Sequence, residues 1–207
     1  MKDDLRVSLI QTNSGADRAA NLEQATRLMT AALEADGPDL IVLPEYFDFY
    51  AGEKEGRIRL AEDAPGGSAY ECMREFAARH RIWVHAGSLV ERIAGDTRVY
   101  NTSVVFDRSG NEVTRYRKIH MFDIVTPDGV QYRESATVRP GSAVATYELE
   151  GFRVGCAICF DLRFYDIFSE MLRQRVDVIA LPSAFTLQTG KDHWEVLCRA
   201  RAIETQT

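Results

Sequence analysis

Short apolar runs alternate with amphipathic stretches along the chain. Leu5 to Thr12 predicts a strand. From Asp17 to Ala35 apolar residues recur at helical spacing, with Leu22, Ala25, Met29, Ala32 and Leu33 on one face. Asp36-Gly37-Pro38 ends that helix. Asp39 to Leu43 is apolar after its first residue, the pattern of a strand covered on both faces. Pro65-Gly66-Gly67 marks a turn, and Ser68-Ala69-Tyr70-Glu71 fits a capping box that opens a helix to about His80. Ile82 to Ala86 and Val99 to Asp107 predict strands, and Arg108 to Asn111 a hairpin-like turn into another strand ending near Arg117. Residues 119–143 read as a long connection, a kind of segment that carries function or stays disordered. Two strands around Gly151 follow between Thr146 and Ile158. Then come a helix from about Phe164 to Gln174, a strand from Val176 to Leu181 and a helix from Gly190 onward.

One echo stands out. "DLIVLPE" (39–45) and "DVIALPS" (177–183) are both strands that run into a proline. They predict two similar layers of sheet and helix, and the alternation as a whole predicts an α/β fold with helices outside. The 207 residues suit one large domain, 1–207, and an apolar share of 45% supplies its core. A net charge of −6 without a run of Lys and Arg argues against nucleic acid as a partner. No apolar run reaches the ~20 residues needed to span a bilayer, so no membrane is expected. The N-terminus lacks the pattern of a signal peptide. A cytoplasmic protein with reduced cysteines is therefore expected.

"GCAICFDLRF" (155–164) carries the first chemical question. Cys156 and Cys159 have the spacing of a redox or zinc pair, but zinc would need two further ligands at matching spacing. Cys156 lies inside an apolar strand and reads as core. Cys159 stands where that strand ends, the place where sites gather in α/β sheets. A helical turn starting there would favour its thiolate. Glu45 also follows a buried strand, and a carboxyl there suits a general acid or base. Lys118 ends a strand beside Arg115 and Arg117, so on spacing alone it reads as a solvated basic edge. His80 and His85 flank an apolar strand, while His120 and His193 lie among polar residues.

The stretches "IVLPEYFDF", "YRKIHMFDI", "YRESATVRPG", "GCAICFDLRF" and "LPSAFTLQTGKDHWEVLCRARAIETQ" follow one another along the chain in this order. Together they resemble the carbon–nitrogen hydrolase, or nitrilase, superfamily, and the last is most similar to the Nit-type amidases of deaminated glutathione and of 2-oxo acid amides. The resemblance implies a four-layer α-β-β-α sandwich and a Cys-Lys-Glu triad. Carried over by position, Cys159 is the nucleophile, Glu45 the general base and acid, and Lys118 the cation that meets an oxyanion. Glu134 supports the lysine, and the backbone N–H of Phe160 is a second oxyanion donor. The implied substrate is a small amide bearing a carboxylate, cleaved through a cysteine thioester with release of ammonia and no metal or organic cofactor. Runner-up activities are an N-carbamoyl-amide hydrolase and a nitrilase, although Phe-Asp-Leu-Arg after Cys159 looks like the amidase branch. From other classes come a thiol redox module and a truncated, inactive scaffold.

Tyr46, Phe47, Met121, Phe122 and Phe185 adjoin the strand ends and either wall a pocket or fill the core. His120 and Arg163 are candidates to meet a substrate carboxylate. Arg163 alternatively pairs with Asp161 to shape the turn, the reading favoured here. Trp194, Val196, Leu197, Ala200 and Ile203 form an apolar stripe that reads as packing. The resemblance implies a homodimer. It also implies a domain that is C-terminally incomplete, since family members continue beyond "RAIETQ" with further strands.

Overall fold

The computed structural model describes residues 4–50, 54–126 and 129–207. In chain order its elements are β1 (Val7–Leu9), α1 (Arg18–Asp36), β2 (Leu40–Val42), α2 (Lys54–Arg59), α3 (Ser68–His80), β3 (Trp83–Arg92), β4 (Val99–Phe106), β5 (Glu112–Arg117), β6 (Asp123–Val125), β7 (Gln131–Arg133), β8 (Ala145–Leu149), β9 (Phe152–Cys156), α4 (Tyr165–Arg173), β10 (Val178–Ala180), α5 (Leu187–Thr189) and α6 (Glu195–Thr205). The strands form one sheet ordered β1-β2-β3-β4-β5, a second ordered β10-β9-β8, and the small hairpin β6-β7. β1, β2 and β3 run parallel, and β4 and β5 continue antiparallel. In the second sheet β10 is parallel to β9, and β8 is antiparallel to it.

Alternation along the strands creates the layers. Ile41, Leu43, Val84, Ala86, Val104 and Phe106 face outward and pack with Ala25 and Met29 of α1 and Met73 and Phe76 of α3. Leu40, Val42 and Val105, one residue out of step, join Tyr147, Val154 and Cys156 of the second sheet. Ile167, Phe168 and Met171 of α4 pack from the far side. Gly155 faces that helix closely, since a Cβ there would stand 2.8 Å from Met171 Sδ. The result is the expected order of helix, sheet, sheet and helix.

Helix α1 is stopped at both ends, at the C-terminal one as its sequence predicts. The Asp17 side chain accepts from Ala20 N–H at 3.2 Å, and Gly37 takes a left-handed φ of 53° while its N–H donates to Leu33 O. The capping box expected over Ser68 to Glu71 does not form. Ser68 is already helical and the cap position falls on Gly67. Glu62 satisfies this helix end from outside, accepting from Ala69 N–H at 2.9 Å and from Ser68 Oγ at 2.5 Å. The connection over 119–143 also differs from a plain loop, because it contains β6, β7 and a 3-10 turn at Glu134–Ala136. The apolar stripe near the C-terminal helix divides. Trp194 and Leu197 pack on the core, whereas Val196 and Ile203 are exposed because the contact covers one edge of the stripe.

A close approach seats the chain after β2. β3 shifts register between Ala86 and Leu89, and there a Cβ on Gly87 would collide with the carbonyl oxygens of Leu43 and Pro44. With no side chain in the way, Ser88 N–H donates to Pro44 O at 3.2 Å, and Ser88 Oγ accepts from Tyr46 N–H at 2.9 Å. Gly87→Ala is expected to cost at least about 3 kcal/mol, the upper end of overpacking costs, as read by denaturant unfolding. Gly15→Ala is the control, because no atom lies within 4 Å of a Cβ there.

Candidate active site

Ends of strands from both sheets open onto one cavity of about 180 Å³, whose lining includes Glu45, Lys118, Glu134, Cys159 and Ala184. Glu45 lies just past β2, Lys118 directly after β5, Cys159 past β9 and Ala184 past β10. The echo between "DLIVLPE" and "DVIALPS" is thus a pair of prolines delivering the chain to one place from two sheets.

Lys118 is the centre of the cluster. Its side chain is only 2% exposed. Nζ donates to Glu45 Oε1 at 3.0 Å and to both Glu134 oxygens, at 3.1 and 2.9 Å. Burial alone would pull the ammonium down, but the carboxylates of Glu45 and Glu134 hold it well above the usual lysine value. Burial likewise pushes Glu134 up, yet Lys118, the Phe122 N–H and the Tyr46 hydroxyl together leave it below the ordinary carboxylate range. Phe122 N–H reaches Glu134 Oε2 at 2.7 Å and Tyr46 Oη reaches Oε1 at 3.0 Å. Glu45 also accepts from Asn101 Nδ2 at 2.9 Å and from Ala184 N–H at 2.8 Å.

Cys159 opens a 3-10 turn with a left-handed φ of 48°, a conformation unfavourable for a residue with a Cβ. Its N–H donates to Pro182 O at 2.9 Å. The expectation that this turn would favour a thiolate is overturned. Burial pushes the Cys159 thiol well above its usual value and the Glu45 carboxylate adds to that, with Lys118 opposing. The surroundings of the sulfur thus favour the thiol over the thiolate. Its sulfur stands beside a carboxylate able to take the proton and an ammonium able to stabilise negative charge. Cys156 is fully buried, and burial pushes its thiol up to about 12.

Tyr46, Phe122, Phe160 and Phe185 line the cavity. His120 and Arg163 lie outside its lining. Asp161 is bound to His120 and Tyr116 rather than to Arg163, because Arg163 points away to His193 Nδ1 at 3.1 Å and over the rings of Phe160 and Phe185. Phe47 is core, at 0% exposure. Met121 packs beside Tyr46, Val90 and Val138. His85 is buried, and burial pulls it down to about 4.

Several contributors went unrecognised in the sequence. Asn101 is a polar residue inside the apolar strand β4, and that placement was a usable signal. Ala184 acts through its backbone, which carries no residue-type signal. Arg57 and Arg133 are charged lining residues of the cavity. Arg57 lies over the Tyr46 ring at 4.7 Å from its centroid, and nothing in its neighbourhood of sequence marks it.

A family model described as carbon-nitrogen hydrolase matches residues 6–207. A deaminated glutathione amidase of Synechocystis sp. is 38% identical over 198 residues, which cover 94% of this chain and 72% of that protein. The human omega-amidase NIT2 is 35% identical over 201 residues, covering 97% of this chain and 71% of that one. The crystal structure of Saccharomyces cerevisiae Nit3, described as a member of branch 10 of the nitrilase superfamily, superposes with a TM-score of 0.86 at 26% identity. That match covers 98% of this chain and 73% of Nit3.

The charge cluster has a consequence for stability. Lys118→Met leaves two buried carboxylates without their cation, at an expected cost of about 3–5 kcal/mol at pH 7. In the parent, Glu134 has a lowered folded pKa, so its contribution is present above the unfolded carboxylate value and is lost as pH falls. In the variant Glu134 has lost the cation that holds it down, so burial favours its protonated form and proton uptake relieves the penalty. The deficit relative to the parent should shrink from pH 7 to pH 5 in paired denaturation curves. A deficit that stays constant or grows contradicts this.

Proposed function

The chain belongs to the carbon–nitrogen hydrolase family, and from that premise we propose that it cleaves the amide of a small carboxylate-bearing substrate and releases ammonia through a thioester on Cys159. The observation that carries the reading is the buried Glu45–Lys118–Glu134 cluster beside the Cys159 sulfur. An amide resists attack, and a protonated thiol is a poor nucleophile, so the neighbouring carboxylate is needed.

Glu45 takes the thiol proton and Cys159 Sγ attacks the amide carbon. The electron pair of the carbonyl moves to oxygen, where the Lys118 ammonium and the Phe160 N–H meet it. As the oxyanion collapses the C–N bond breaks, and Glu45 returns its proton to the nitrogen, which leaves as ammonia. Water then adds to the thioester with Glu45 again as base. Collapse of that second intermediate releases the carboxylic acid and restores the thiol. Glu134 holds the ammonium in place throughout, because its own carboxylate is fixed by Tyr46 and Phe122. His120 and Arg163 take no part in this scheme.

Substrate charge follows from the rest of the lining. Glu45 and Glu134 are engaged by Lys118, and the remaining charges are Arg57 and Arg133. Neither arginine forms an ion pair among the described residues. Arg57, half-buried and braced on Tyr46, is the anchor for the substrate's carboxylate.

The test is ammonia release from a panel of ω-amides of 2-oxo acids, deaminated glutathione, N-carbamoyl amino acids and simple nitriles. Release is expected from a carboxylate-bearing amide, near-normal in Cys156→Ser and absent in Cys159→Ala. Silence across the panel from folded protein contradicts the reading. Arg57→Gln is expected to raise KM for the carboxylate-bearing amide about tenfold or more, the worth of one charge-assisted hydrogen bond. A neutral amide of the same length should be little affected. Equal changes for both substrates would remove Arg57 from this role.

A further inference from the structure

We propose that Asp161 is a positioning residue that latches the strand end carrying Lys118 to the turn carrying Cys159. The Asp161 side chain is fully buried. Its Oδ2 accepts from the Tyr116 hydroxyl at 2.6 Å and from Ile158 N–H at 2.8 Å. Its Oδ1 accepts from His120 N–H at 3.0 Å and lies 2.7 Å from His120 Nδ1. These partners bracket the reactive groups. Tyr116 and His120 stand two residues either side of Lys118, and Ile158 immediately precedes Cys159. One carboxylate therefore joins two segments whose separation sets the distance from ammonium to sulfur, without itself lining the cavity.

The chemistry of the partners explains why a carboxylate stands there. Both backbone N–H groups and the tyrosine hydroxyl donate, so an acceptor with two oxygens satisfies all of them. An amide would turn its NH₂ toward Ile158 N–H or His120 N–H whichever way it was flipped. The latch also closes the unfavourable turn at Cys159, since Asp161 N–H donates to Ile158 O at 3.0 Å while Asp161 Oδ2 accepts from Ile158 N–H. On the outer side the His120 ring stacks on Phe164, with centroids 3.9 Å apart and planes 5° from parallel. The Tyr116 oxygen is fixed in turn by Ile119 N–H at 3.3 Å. Asp161 makes no ion pair with Lys or Arg among the described residues, so its charge is spent on these hydrogen bonds.

This inference rests on the roles proposed for Cys159 and Lys118, and its first readout does not depend on amide turnover. Asp161→Asn and Tyr116→Phe would be compared with the parent. The first readout is alkylation of Cys159 by iodoacetamide across pH, with the site located by mass spectrometry. The second is kcat and KM on the best amide, and the third is the thermal midpoint. The charged groups facing the sulfur, Glu45 and Lys118, are kept in both variants, as are Glu134 and Tyr46 behind them. In Asp161→Asn the alkylation midpoint should move to higher pH, because the ammonium is no longer held at a fixed distance from the sulfur. kcat should fall about tenfold to a hundredfold, the scale of an ångström-sized misplacement, with KM changing less. Tyr116→Phe should show the same changes at smaller size. A folded Asp161→Asn with unchanged alkylation midpoint and kcat overturns the proposal, even if its thermal midpoint drops. If Asp161→Asn does not fold, unchanged values in Tyr116→Phe overturn it equally. A parent that alkylates normally but releases no ammonia counts against the amidase reading, and the alkylation series still decides the latch.

Discussion

A buried ammonium between two buried carboxylates is the constraint on which the site depends. Removing Lys118, Glu45 and Glu134 from water costs several kcal/mol per ion, and the cost is offset only where the geometry is tight and the remaining atoms are satisfied. Here they are. The lysine reaches both carboxylates, Glu45 takes two further donors from Asn101 and Ala184, and Glu134 takes two from Tyr46 and Phe122. Those donors come from β4, from the chain after β10, and from the segments after β2 and β5. The charge cluster therefore fixes how the two sheets meet at this end. It also suits proton transfer, since moving the thiol proton to Glu45 shifts one negative charge from oxygen to sulfur beside the same ammonium. The total charge of the cluster does not change.

The backbone supplies the rest of the precision. Gly87 lets β3 pass beneath Leu43 and Pro44, so that Glu45 leaves β2 at a set height. Tyr46 and Cys159 both adopt left-handed φ values, 54° and 48°. Such conformations persist only where the surroundings over-determine them. Around Tyr46 this is done by Ser88 and Glu134. Around Cys159 it is done by Pro182 and the proposed Asp161 latch. Side-chain chemistry and backbone strain are thus concentrated at the same strand ends.

The layers were legible because strands covered on both faces read as unbroken apolar runs, as in Leu40 to Leu43, and because α1 carries its own stop signal at Gly37. Glu45 was legible as a carboxyl at the end of such a run. Lys118 was harder. Its arginine neighbours suggested a solvated edge, yet Arg115 and Arg117 fall on one face of β5, where they meet Glu91, while Tyr116 and Lys118 fall on the other. Period-two counting separates the two pairs. Glu134 was reached only through family resemblance, because a carboxylate in a polar connection carries no sign of burial. The capping box failed by one residue, a shift that left Glu62 to cap the helix from a distance. Asp161 was misassigned to Arg163 because proximity in sequence says nothing about which way two side chains of a tight turn point. Arg57 was invisible, since its place over Tyr46 depends on tertiary structure alone.

The most direct test of the chemistry proposed for this site is mass spectrometry of protein quenched in acid across a first turnover, with enzyme in excess over the amide it hydrolyses fastest. The account predicts a transient mass increase equal to the substrate's acyl group, confined to the peptide containing Cys159 and formed no later than ammonia. Ammonia released with no acyl group on Cys159 at any time, or with the acyl group on another residue, would contradict it.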